Sequence, residues 1–212
     1  MSFEFIHRAD SDPRRVAVFP GAFNPPTTAH VHIARRALAA ADEVVWVLPR
    51  SFPHKEYQGA TLRERARMLE LICAANARFS AAISHGSLFV DIAAEAAEAY
   101  GDRAEILLAC GRDAAERIAR WDYGVPGVFE QLISRYRLLV VSREGHFGIE
   151  QEQQGRIICL AIDPSLDEVS STRVRERLGQ GVSCEKLVPL EIAAMARRIY
   201  GPKGDLGAPP EK

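Results

Sequence analysis

A chain of 212 residues with 47% hydrophobic and 26% charged residues has the make-up of a globular protein with a sizeable core. Its formal charge is −1, so no global field would draw it to nucleic acid, and nucleic-acid partners are not expected. No run approaches the ~18 uncharged apolar residues of a membrane span, and the N-terminus lacks a signal-peptide core, so a cytoplasmic protein without a membrane partner is expected.

Short apolar runs rich in β-branched residues recur along the chain at 15–19, 43–48, 104–110, 136–141 and 155–161, with a weaker one at 79–84. Segments with helical spacing lie between and after them, at 28–40, 61–75, 89–100, 112–120, 171–179 and 185–199. Strands apolar on both faces that alternate with helices predict a doubly wound α/β domain, a Rossmann-like parallel sheet covered on each side. Residues 1–200 read as one such domain, and the Gly/Pro-rich stretch 201–212 as a flexible polar tail. Cys73, Cys110, Cys159 and Cys184 are far apart with no C-x-x-C pair, which predicts neither a zinc site nor a disulfide scaffold. The histidines show no metal spacing, and no protein-held metal is expected.

In this fold class ligands collect at the carboxyl ends of the strands, so the loop after the first predicted strand comes first. It reads "VFPGAFNPPTTAH", Val18 to His30. Gly21 permits a tight turn and close approach of a ligand, and Pro25 and Pro26 stiffen the chain. Thr27 or Thr28 can cap the next helix, which puts His30 in its first turn beside unpaired N–H groups that favour a phosphate. The same residues also suit an ordinary capped junction. No G-x-x-x-x-G-K-[ST] and no G-x-G-x-x-G after the first strand point instead to the commoner phosphate loops.

A second helix start stands at 169–175, "VSSTRVR", where Ser170 or Ser171 can cap and Thr172, Arg173 and Arg175 follow. A guanidinium there can grip phosphate oxygens in a fork. Two such termini in one α/β domain fit a triphosphate lying between them.

Together "GAFNPPTTAH" and "VSSTRVR" resemble the signatures G-x-F-x-P-x-[HT]-x-x-H and I-S-S-T-x-x-R of the nucleotidyltransferase superfamily. "FPHKEYQGATLRERARMLEL" (52–71), "GRDAAERIARW" (111–121) and "VVSREGH" (140–146) are similar to segments of its bacterial nicotinate-mononucleotide adenylyltransferases, so the resemblance spans about residues 16–180. It implies transfer of AMP from ATP to a small mononucleotide, nicotinate mononucleotide first, with Mg²⁺ on the phosphates and release of pyrophosphate. It implies His30 and Thr27 as donors to the phosphates and Arg175 as their cation. Gly21, Ala22, Phe23, Ser170, Ser171 and Thr172 would hold ATP, and Lys55, Asp113, Trp121 and Arg143 the acceptor.

Trp121 also suits packing of a helix end, and Asp113 also suits a helix cap. Five positions depart from the bacterial pattern. Thr27 replaces a His, Ala29 a Gly, Pro20 the first Gly of a pair, and Leu88 with Phe89 a Tyr–Thr pair. Nicotinamide mononucleotide, phosphopantetheine or a non-catalytic regulatory role stay open at this stage, as does the oligomeric state, a homo-oligomer included.

Overall fold

Strands without a polar face are satisfied only between two layers of helices, and the described residues are arranged that way. The computed structural model describes residues 2–51, 59–142, 155–161, 166 and 169–202. Six strands run parallel: β2 (Arg15–Pro20), β3 (Glu43–Pro49), β4 (Phe79–Ser84), β5 (Glu105–Gly111), β6 (Arg137–Ser142) and β7 (Ile157–Ala161). A short strand, β1 (Glu4–His7), pairs antiparallel with β4. The order is β1-β4-β3-β2-β5-β6-β7, so the chain winds outward from β2 to one side and then from β5 to the other.

Alternate strand residues face opposite layers. Ala17, Phe19, Trp46 and Leu48 pack under α1 (Thr28–Ala37), α2 (Leu62–Ala74), α6 (Ser171–Gly179) and α7 (Ala193–Tyr200). Val16, Val18, Val45 and Val47 pack under α3 (Phe89–Tyr100), α4 (Arg112–Ala119) and α5 (Val128–Arg135). The predicted doubly wound α/β class is therefore the observed one.

Three elements differ from the sequence reading. The sheet is not wholly parallel, because β1 covers the edge of β4. Its return to the body is anchored by a buried carboxylate. Glu43, 1% exposed, accepts from Ser11 Oγ at 2.5 Å, Ser80 Oγ at 2.6 Å and Tyr100 Oη at 2.5 Å, and Ala9 N donates to Ser80 Oγ. Helix α5 was not predicted, although Val128, Phe129, Leu132 and Ile133 carry its period, and three of them are buried. The last helix starts at Ala193 rather than 185, after a 3-10 turn at Leu190–Ile192. Pro189 offers no N–H and biases Val188 away from helical geometry, so 184–188 form a turn instead. That turn meets the start of α1, far away in sequence, since Thr28 N donates to Leu187 O at 3.0 Å. The predicted tail lies outside the described residues from 203 onward. No helix among the described residues is long and apolar enough to cross a membrane.

Candidate active site

The strand order reverses between β2 and β5, and a cavity of about 610 Å³ opens there at their carboxyl ends. Its wall includes Gly21, Phe23, His30, Gly111, Asp113 and Arg117. Helix α4 begins at this wall with no side-chain cap on Gly111, and Arg112 on it donates through Nε to Glu116 Oε1 at 3.0 Å. Cys110 also lines the cavity, but burial pushes its thiol up to about 12, so it stays protonated.

The loop from β2 to α1 is shaped by a folded-back aromatic. Phe23 takes a left-handed backbone, φ 45°, and its ring packs edge-on to Phe19 at 5.4 Å and against Trp46 at 5.0 Å. The ring crosses over Gly21, where any Cβ would come within 2.6 Å of it. Gly21 is thus required by Phe23 as well as by access to the cavity, and Gly21 N is held by Val47 O at 3.0 Å. The Asn24–Pro25 peptide is cis.

Thr27, not Thr28, caps α1, and His30 completes a reciprocal capping box in the place where Glu or Gln is usual. Thr27 N donates to His30 Nδ1 at 3.0 Å, and Thr27 Oγ1 lies 2.8 Å from the same nitrogen. An Nδ1 that accepts from a backbone N–H carries no proton, so these bonds assign the neutral tautomer with the proton on Nε2. Phe23 covers the ring at 5.3 Å, and burial pulls the imidazole down to about 4. At neutral pH His30 therefore offers a single uncharged donor at the cavity. Thr27 is fully buried, and its hydroxyl also accepts from His30 N at 3.4 Å. The sequence reading had Thr27 donating to a phosphate; in this structure it holds His30 instead.

Ser170 is the cap of α6, accepting from Arg173 N at 3.2 Å. The helix is stitched to the first loop across 146 and 151 positions of sequence: Ser171 Oγ donates to Pro25 O and Arg175 Nη1 to Asn24 O, both at 2.7 Å. Arg175 Nη2 also donates to Thr172 Oγ1 at 3.2 Å. The two helix starts predicted from the motifs thus meet at one loop. The α6 residues join the site through Asn24 and Pro25 rather than by lining the cavity with His30.

Of the residues expected at the acceptor, Asp113 lies in the first turn of α4 on the cavity wall and makes no cap, because the helix begins at Arg112. Trp121 is not brought to that wall; it borders a second hollow with Asp122, Tyr123 and Val125. Lys55 and Arg143 lie outside the described residues. Sequence reasoning assigned no role to Asn24, Arg65 or Tyr200, although Arg65 lies in the family-like segment 52–71 and so left a signal. Buried at 2% exposure, it donates through Nη1 to Ala22 O at 3.0 Å.

An open, mostly parallel sheet with a cavity at its order reversal, and two helix starts joined at one loop, has the architecture of the nucleotidyltransferase fold. The chain belongs to the cytidylyltransferase-like family, whose sequence profile matches residues 18–177. Similar relatives include a probable nicotinate-nucleotide adenylyltransferase of Chromohalobacter salexigens, 28% identical over 91% of this chain and 98% of that one. Another of the same description, from Bacillus cereus, is 27% identical over 87% of this chain and 96% of its own. Among solved structures, the Plasmodium falciparum nicotinic acid mononucleotide adenylyltransferase complexed with NaAD superposes with a TM-score of 0.64. It is 20% identical and covers 87% of this chain and 96% of its own.

Proposed function

We propose that this protein transfers AMP from ATP to nicotinate mononucleotide, releasing pyrophosphate, and thereby serves NAD biosynthesis. The observation that carries the reading is the neutral Nε2–H donor of His30 at a cavity whose loop is stitched to the start of α6. Relatives that share nearly their whole length with the chain are described as enzymes of that reaction.

An oxygen of the acceptor phosphate attacks the α-phosphorus of ATP as the bond from that phosphorus to the β-bridging oxygen breaks, and the electron pair leaves with pyrophosphate. The nucleophile is already an anion, so no general base is required, and rate comes from alignment and from donors placed where charge develops. His30 donates from Nε2 to the phosphates without changing its own protonation. The helix dipoles of α1 and α6 favour the anion, with Ser170, Thr172 and Arg175 toward the β- and γ-phosphates. Asp113, on the cavity wall, is the proposed contact to acceptor hydroxyls, with Lys55, Arg143 and Trp121 as further proposed acceptor contacts.

Among the described residues no three His, Cys, Asp or Glu side chains cluster as a metal cage. This donor set fits Mg²⁺ carried mainly by the triphosphate and water, with Asp113 and Glu116 the carboxylates on the wall. When bound there, the ion neutralises phosphate charge. Two small nucleotides as substrates fit a cytoplasmic protein.

Pyrophosphate release with ATP and a panel of nicotinate mononucleotide, nicotinamide mononucleotide and phosphopantetheine tests the proposal. Release with nicotinate mononucleotide at a kcat/KM well above the others is expected. Preference for another acceptor, or ATP binding without release, would overturn it.

A further inference from the structure

The backbone of the phosphate-side loop is held by side-chain donors from two helices. The carbonyls of Ala22, Asn24 and Pro25 accept from Arg65 on α2, Arg175 on α6 and Ser171 on α6. Directed to those donors, three carbonyl dipoles are kept from presenting their negative ends to an incoming anion. The Asn24 side chain, 7% exposed, is held separately: its Oδ1 accepts from Tyr200 Oη at 2.6 Å and from Ala60 N at 3.4 Å.

Tyr200 is the last residue of α7, 176 positions from Asn24, and lies beyond the span matched by the family profile. It is itself only 8% exposed. Its ring packs where Gly59 turns with φ +104°; a Cβ on that glycine would come within 2.9 Å of Tyr200 Cε1. The aromatic ring therefore fixes the approach to α2, while the hydroxyl alone reaches the loop.

Asn24 sits between the left-handed Phe23 and Pro25. A non-glycine residue keeps such a backbone only where its neighbours over-determine it. The ring of Phe23 in turn covers His30 at 5.3 Å. The chain of contacts is continuous, from Tyr200 Oη to Asn24, from Asn24 along the backbone to Phe23, and from Phe23 to the imidazole.

We propose that Tyr200 is a positioning residue for this reaction, its hydroxyl acting through Asn24 to hold the loop and, through Phe23, the donor geometry of His30. The turnover part of this inference rests on the adenylyl-transfer reading; the geometric part does not. Tyr200→Phe keeps the ring against Gly59 and removes only the hydroxyl. With positioning lost and binding groups intact, kcat for pyrophosphate release should fall about tenfold while the KM for ATP changes less than about threefold. In the ligand-free variant the ¹⁵N signals of the His30 ring should shift from their wild-type positions, a readout that a loss of global stability alone would not move.

Asn24→Ala removes the same bond from the loop side, which keeps the test standing if the α7 variant does not fold. The double variant should be no slower than Asn24→Ala alone, because Asn24→Ala already removes the bond that Tyr200→Phe deletes. A kcat for Tyr200→Phe within twofold of wild type, with unchanged His30 signals, would overturn the proposal. If the wild-type protein releases no pyrophosphate with any mononucleotide, the adenylyl-transfer reading fails, and the His30 spectra of wild type and Tyr200→Phe still decide the positioning role.

Discussion

His30 is a neutral donor at the cavity, held by the cap of its own helix. Its Nδ1 is occupied by the N-cap of its own helix, so protonation would set an N–H against the Thr27 N–H and cost the capping box as well as desolvation. The sign of the resulting pH dependence follows directly. The folded imidazole titrates at about 4 and an unfolded one at about 6.5, so between those values the unfolded chain binds a proton that the folded chain does not. Stability from this group should be complete above pH 6.5 and should decline as pH falls toward 4. Urea titrations at intervals from pH 4 to 7 should show that slope, and it should flatten in His30→Gln. A single preorganised donor to developing charge is typically worth ~10²–10³ in kcat, so His30→Ala should lose that much turnover while remaining folded by circular dichroism. Near-normal turnover would remove His30 from the mechanism.

At the scale of elements, the site depends on two helix starts being tied together. The hydroxyl of Ser171 spans from α6 to Pro25 O, beside the bond from Arg175 to Asn24 O. Ser171→Ala should lower the unfolding free energy by about 1 kcal/mol, the net worth of one such bond, and raise the KM for ATP several-fold as α6 loosens from the loop. Denaturant titration and initial-rate kinetics measure the two effects separately; an unchanged KM would show that the stitch is structural only. The helix-start residue types were legible in the motifs, because capping hydroxyls and a following apolar stripe are local signals. Which threonine and which serine act as caps was not legible, since both neighbours of each pair have the chemistry and only backbone geometry selects Thr27 and Ser170.

Across the whole molecule, the end of the sheet opposite the site is locked by Glu43. Its carboxylate is buried and receives three hydroxyl donors from the N-terminal segment, β4 and α3. Burial, with the Glu43 carboxylate beside it, pushes the Tyr100 phenol well above its usual range, so the hydroxyl remains a donor throughout the working pH range. Tyr100→Phe should cost about 1–3 kcal/mol of unfolding free energy by leaving a buried acceptor short, and kcat should stay within a factor of two because the cluster lies far from the cavity. Chemical denaturation beside a pyrophosphate assay reads both.

The strand and helix pattern, the class of the fold and the pair of capped helix starts were carried by the amino-acid sequence itself, because apolar period and capping chemistry are properties of neighbouring residues. Helix α5 carried its period too and was equally readable. What depended on the tertiary structure was everything that rests on long-range pairing. That Thr27 holds His30 neutral follows from the turn geometry of the cap. That Trp121 stands apart from the His30 cavity follows from where α4 ends. That Asn24 answers to Arg175 and Tyr200 follows from two helices that meet the loop only after more than 150 residues have been wound around the sheet. A hydrogen bond between residues so far apart has no local periodicity to announce it, and only the packed chain brings its two ends within 3 Å.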